Sequence, residues 1–269
     1  MLLPLAAHGQ TLDHIRASNT LACAAETRPG FAEADDDGTI KGLAVDLCRA
    51  VAIAVLGPSG TVHMTLPDSD LEYADIAKGS ADLVFLSPTA TEEHGLEASL
   101  IPGPTVFIDP ITAMVPANAP DTLAGKTICL MIGTQAQRAV ETRLSGLTPP
   151  ITRLPFREDV EMLDAYNVGR CDAVVDDATR LADMRQQTGI NHLQSRLLSQ
   201  PLMLTPLVAA TPTQDGAWAS LAFRTLNAVI GNTSQTQPGL RPGWQTEMKS
   251  TLGDYATMRN RNLGAEARP

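Results

Sequence analysis

The sequence predicts an α/β protein made of two similar lobes, each built on a largely parallel sheet. Two observations lead there. Apolar runs of strand length alternate with segments of helical periodicity along most of the chain, which is the pattern of βαβ units. The alternation also occurs twice, as two β-α-β-α-β units, each carrying its own pair of cysteines.

In the first unit, Thr11–Ser18 is expected to be a short helix with Thr11 as N-cap and Leu12 and Ile15 on one face. Leu21–Ala25 has the character of a short buried strand, and residues 27–38, rich in Gly, Pro and Asp, of a loop. The clearest helix is GLAVDLCRAVAIAVLG (Gly42–Gly57), where Leu43, Leu47, Val51 and Val55 recur at helical spacing and Gly57-Pro58 stops the run. Thr61–Pro67 is strand-like, Asp68–Lys78 helical with Gly79 as its cap, and Ala81–Leu86 a buried strand. The polar stretch SPTATEEHGLEASLIPGP (Ser87–Pro104) is expected to be a loop closed by a Pro-Gly-Pro bend. An extended apolar segment, Thr105–Pro116, follows.

The second unit repeats the scheme. Lys126–Gly133 is a strand, Thr134–Leu144 a helix, Ile151–Phe156 a strand, and Asp159–Val168 a helix closed by Gly169. Cys171–Asp177 is a buried strand ending in two acids, and Ala178–Gly189 a helix closed by its glycine. Pro201–Thr211 is again extended, Trp218–Ile230 helical, and the tail from Gln235 Gly- and Pro-rich, then helical to about Arg259. The extended segments near Phe107–Val115 and Pro201–Ala209 are expected to be crossings. They divide the chain into a first lobe (11–108), a second lobe (109–205) and a return to the first (206–269). A ligand is then expected between the lobes, at the carboxyl ends of strands, with closure as a hinge motion.

Composition excludes several functions. Aromatic residues make up only 4% of the 269, too few for base-stacking platforms. The formal net charge of −10 disfavours nucleic acid and anionic membranes as partners. The short acidic run Asp35–Asp37 precedes Gly38 and is expected to be a solvated turn. No apolar stretch approaches the ~20 residues of a membrane-spanning helix. The start, MLLPLAAHGQ, resembles the end of a secretory signal peptide, with cleavage expected near Ala7–Gln10. The four cysteines, Cys23, Cys48, Cys129 and Cys171, contain no C-x-x-C. Local pairing, Cys23–Cys48 and Cys129–Cys171, would place one staple in each lobe and imply an oxidising compartment; four reduced, buried thiols are the alternative.

Few motifs carry chemistry. AGKT (Ala124–Thr127) lacks the earlier glycine of a phosphate loop, since Pro120 stands there, and it precedes a strand instead of opening a helix. There is no G-x-S-x-G, H-E-x-x-H or G-x-G-x-x-G. The histidines, His8, His14, His63, His94 and His192, are scattered and support no metal site. No cofactor is expected. Three strand ends remain. Gly133 and Thr134 open a helix, where amides and the helix dipole suit a carboxylate; an ordinary N-cap is the simpler account of the threonine. Asp176 and Asp177 end a buried strand and either hold a ligand ammonium or cap the next helix. The third is Thr89–His94.

These pieces together resemble a known family. TLDHIRA, PGFAEADDDGTIKGLAVDLCRAVAIAVLG, GSADLVFL, LAGKTICLMIGT, VGRCDAVVDD and LGDYATMRNRNLG are similar to bacterial periplasmic amino-acid-binding proteins of ABC transporters, in particular the general L-amino-acid-binding subclass. The resemblance covers about Thr11 to Gly264. It implies a two-lobed periplasmic-binding-protein type II fold with mostly parallel sheets and a two-strand hinge, and it supports both cysteine pairings. It implies a periplasmic receptor that passes a small-molecule ligand, an amino acid or a related solute, to an inner-membrane ABC permease; a monomer without catalytic activity is expected. Family positions for the ligand carboxylate fall on Thr89, Thr91, Gly133 and Thr134, and that for the ammonium on Asp177. Residues of the early loop, Glu26 to Phe31, add side-chain contacts. The family's arginine is replaced by His94, behind Glu92 and Glu93, and its aromatic residue between the two threonines by Ala90. Arginine offers a permanently charged bidentate fork; histidine offers at most one donor per ring nitrogen. Two other functions remain open at this level: a sensing module feeding a membrane sensor, and a dehydratase-like enzyme on the same fold using His94 beside Glu92 and Glu93.

Overall fold

The computed structural model describes residues 10–186, 195–212, 215–231 and 238–264. Residues 1–9 of the expected signal-peptide remnant, and with them His8, lie outside the described residues, as do His192 and the helix-closing Gly189. The described residues up to Phe107, together with those of Pro206–Gly264, form one compact unit, and those of Ile108–Thr205 form a second.

Unit 1 begins with α1 (Gln10–Ser18) and β1 (Thr20–Ala25), then a small antiparallel hairpin of β2 (Glu33–Ala34) and β3 (Ile40–Lys41). Next come α2 (Leu43–Leu56), β4 (Thr61–Thr65), α3 (Asp70–Ala77), β5 (Leu83–Leu86) and α4 (Pro88–Glu93). The long strand β6 (Leu100–Pro116) carries the chain into unit 2, with β7 (Thr127–Met131), α5 (Gln135–Arg143), β8 (Thr152–Phe156), α6 (Asp159–Asn167) and β9 (Ala173–Asp177). It continues through α7 (Ala178–Gln186) and β10 (Ser195–Leu197) and re-enters unit 1 along β11 (Met203–Pro212). The return adds α8 (Gly216–Ile230), α9 (Trp244–Leu252) and α10 (Tyr255–Leu263).

The unit 1 sheet has the order β4-β1-β5-β11, with β1 parallel to both β4 and β5, and β11 antiparallel to β5. In unit 2 the order is β6-β9-β7-β8; β7 runs parallel to β8 and β9, while β6 is antiparallel to β9 and also pairs β10. β5 is buried on both faces, as strands of parallel sheets covered by helices are.

α2 is buried around most of its circumference because β1, β4, α8 and α9 all pack on it. Its entry requires glycine. Gly42 has φ 122°, and a Cβ there would stand 2.4 Å from the Phe31 carbonyl oxygen. The start of α8 is capped by Asp215, which accepts from the Trp218 amide at 2.9 Å and from the Thr11 amide at 3.2 Å, tying α1 to α8. The helical tail divides in two at Gly253, φ 87°, and Asp254 caps the second piece. Asn262 then reaches Asp46 at the start of α2, at 2.6 Å.

Both cysteine pairs are disulfides: Cys23 joins Cys48, linking β1 to α2, and Cys129 joins Cys171, linking β7 to the approach to β9. The described residues contain no free cysteine.

The expected loop Ser87–Pro104 is corrected at both ends. Ser87 and Pro88 are an N-cap and first-turn pair, and the Ser87 hydroxyl accepts from the Ala90 amide at 3.1 Å, so Pro88–Glu93 folds as the six-residue helix α4. At the other end Pro102-Gly103-Pro104 lies inside β6 and makes no bend. Proline's fixed φ is compatible with extended backbone. Gly103 passes close over α8, where a Cβ would meet the Phe223 ring at 2.4 Å.

Candidate functional site

In unit 1 the neighbouring parallel strands β1 and β5 end at Ala25 and Leu86, and the next residues are Glu26 and Ser87. This is the end of the sheet where α/β folds hold ligands. Glu26 bonds backbone to backbone with Phe85 (N···O 3.0 Å), which fixes it beside β5. One of its carboxylate oxygens accepts from the Ser87 amide at 2.9 Å; the other accepts from the Arg28 guanidinium at 2.8 Å. That guanidinium is deeply buried, with 7% of its side chain exposed, against 19% for Glu26. Arg28 is the residue that sequence reasoning missed. Its neighbours are loop-like, and only the Glu26-x-Arg28 spacing hints at a pair.

Phe31 is corrected. It was expected to touch a ligand from the early loop, but it is fully buried, 6.4 Å edge-on from Phe85 and stacked 6.1 Å from Phe107. Three aromatic rings packing together bury more area than one ring left at a ligand surface.

α4 carries Thr89, Thr91 and His94. The Thr91 hydroxyl donates to the Ser87 carbonyl at 3.0 Å, and the residue also lines a cavity of about 230 Å³ with Leu86, Pro88, Leu100 and Val208. Thr89 is partly buried on the first turn. His94 is the C-cap of α4, and its ring is committed to α3. It stacks on Tyr73 with centroids 3.6 Å apart and planes 9° from parallel, and its Nδ1 lies 3.0 Å from Asp70 Oδ1. Burial pushes the Tyr73 phenol up to about 12, and the carboxylates of Glu26, Glu72 and Glu93 add to the shift. The surroundings of His94 are therefore acidic, whereas the resemblance implies an arginine there.

In unit 2, β7 and β9 are neighbouring parallel strands, so the turn Ile132–Thr134 and Asp177 lie at carboxyl ends side by side. Thr134 is the N-cap of α5; its hydroxyl accepts from the Gln137 amide at 3.3 Å and donates to the Met131 carbonyl at 2.9 Å. The Gly133 amide donates to the Gln137 side-chain oxygen at 2.8 Å. The two acids that end β9 have different surroundings. Asp176 is buried and meets Arg180 at 3.1 Å, and Arg180 also holds Asp159 at 2.7 Å. Burial pushes the Asp176 carboxyl up to about 6, with Arg180 opposing and Asp177 reinforcing the shift. Asp177 is half-buried, and its own amide donates to Asp176 Oδ1 at 2.8 Å.

The two units thus show the same arrangement: a helix-start residue and an acid at the ends of adjacent parallel strands. Several known proteins are similar to this chain. YhdW of Escherichia coli K12, named as a candidate amino-acid ABC transporter-binding protein, is 26% identical over 227 residues, which is 82% of this chain and 66% of that protein. The chain is similar to the amino-acid-binding proteins of ABC transporters. AapJ of Rhizobium johnstonii, a general L-amino acid-binding periplasmic protein, is 24% identical across 96% of this chain and 86% of its own length. Among solved structures, an ABC transporter periplasmic binding protein from Brucella ovis with glutathione bound superposes with a TM-score of 0.73. It is 22% identical and covers 96% of this chain and 92% of its own, which establishes the shared type II fold. The chain spans about two thirds of the length of YhdW. No family model matches it.

Proposed function

We propose that this chain is a periplasmic solute receptor of an ABC transporter. It captures a small polar solute, an amino acid or a related compound, and delivers it to an inner-membrane permease, with no catalytic step of its own. The observation that carries this reading is the position of Glu26, Ser87 and α4 at the carboxyl ends of β1 and β5, in a chain similar over 82% of its length to YhdW. Thr89, Thr91 and His94 would contribute from unit 1. The candidate residues of unit 2 are Gly133, Thr134 and Asp177, Asp177 toward an ammonium. Arg28 joins this set through Glu26. A periplasmic location is supported by the two disulfides, a feature of oxidising compartments.

A thermal-shift screen against amino acids, aliphatic amines and small acids at millimolar concentration tests the reading. Binding raises the unfolding temperature by mass action. At least one class is expected to produce a concentration-dependent rise; no shift with any of them would overturn a small-solute receptor.

A further inference from the structure

We propose that Glu26 is an internal substitute for a ligand carboxylate, and that it turns the candidate site of unit 1 toward cations without a carboxylate, of the aliphatic amine class. The inference rests on the receptor reading above and specifies its ligand. A buried guanidinium and a backbone amide at a strand end form a donor set suited to an incoming carboxylate. Here both donors meet the two oxygens of one carboxylate that belongs to the protein, at 2.8 Å and 2.9 Å. A ligand carboxylate would have to displace Glu26 from Arg28 or accept its negative charge as a neighbour.

The same residue suits a cation. An ionised carboxylate has about four lone-pair sites, and these contacts from Arg28 and Ser87 use two of them. Glu26 is 19% exposed, so an ammonium can approach its remaining lone pairs. The surroundings agree. Glu93 and Glu72 lie near the Tyr73 phenol with Glu26, and Asp70 holds His94. The guanidinium in this region is paired with an acid, and the position that the resemblance assigns to an arginine holds a histidine stacked on a tyrosine.

The test is isothermal titration of the wild-type chain, Glu26→Gln and Arg28→Gln with two probes, 1,4-diaminobutane and L-glutamine. The wild type should bind the diamine at least tenfold more tightly than L-glutamine. Glu26→Gln keeps the shape and removes the internal charge beside Arg28; it should lose at least tenfold in diamine affinity and gain at least tenfold for L-glutamine. Arg28→Gln keeps the carboxylate without its neighbouring cation and should bind the diamine more tightly than wild type. The wild-type comparison stands even if a variant fails to fold. L-glutamine binding more tightly than the diamine to the wild type would overturn the inference and leave the receptor reading in place. Binding of neither probe to any of the three proteins would overturn the inference, and the receptor reading would then be decided by the wider thermal-shift screen.

Discussion

Removing the Cys23–Cys48 disulfide should cost unit 1 about 3.5 kcal/mol. The cross-link joins β1 to α2 across a sequence separation of 25. On the chain-entropy account a loop of that length removes about 12 cal/mol/K from the unfolded ensemble, or about 3.5 kcal/mol at 25 °C. Both sulfurs are buried, at 1% and 0% exposure, so a Cys23→Ala/Cys48→Ala variant also leaves a small void and should lose somewhat more. Simple reduction keeps the sulfur atoms in place and isolates the entropic part. The readout is local, because both tryptophans, Trp218 and Trp244, are buried in unit 1. Urea titration followed by tryptophan fluorescence, with and without reductant, therefore measures the unit that carries the cross-link. With a slope of about 2 kcal/mol per molar urea, the midpoint should fall by nearly 2 M. A loss below about 1 kcal/mol on reduction would refute the reasoning, since the cross-link would then not be what restricts the unfolded chain.

Further predictions follow from the packing and from the buried acid. The folded-state pKa of Asp176, about 6, lies above its reference value of 3.8, so the folded state binds the proton more tightly and stability falls as pH rises between about 4 and 6. Asp176→Asn should remove up to about 3 kcal/mol of that pH-dependent loss, read as the difference between variant and wild-type urea stabilities at pH 4, 5, 6 and 7; parallel curves would exclude it. Phe31→Ala should cost about 3–5 kcal/mol by fluorescence-monitored unfolding, because it opens a void between Phe85 and Phe107. Gly42→Ala should cost about 2 kcal/mol or more in the same assay, from positive φ and a backbone oxygen 2.4 Å from the new Cβ; an unchanged midpoint would mean that the α2 entry relaxes freely.

The α/β class and most elements were legible because burial imposes period on the sequence. α2 and β5 are buried so completely that their apolar runs need no context. α4 was missed although Ser87-Pro88 is a proper helix start, because six residues with two threonines and two glutamates carry no apolar face to mark a helix. Pro102-Gly103-Pro104 was misread because turn chemistry is judged locally, whereas a neighbour 120 residues on, Phe223, decides what fits over Gly103. The positions of the candidate residues at strand ends were legible, and their side-chain partners were not. Glu26 meets Ser87 across 61 positions, and His94 meets Asp70 across 24. No local spacing contains either fact.

The difference matters for what the site selects. A receptor that clamps a carboxylate with a buried arginine has an uncompensated cation when empty, and its ligand supplies the missing partner. Leaving such a group unpaired is costly, and that cost adds to the selectivity for carboxylates. In this chain Glu26 meets the guanidinium of Arg28 and the Ser87 amide before any ligand arrives. A ligand anion then has less to gain at these donors. On the inference proposed above, selectivity in unit 1 would depend on the pair Glu26–Arg28 at the end of β1 at least as much as on His94 at the end of α4. Replacing His94 by arginine alone would add a cation beside Asp70 and Tyr73, but it would leave Glu26 in place to oppose a carboxylate. A change at Glu26 removes the negative charge offered there. His94→Arg by itself should therefore raise L-glutamine affinity less than Glu26→Gln does.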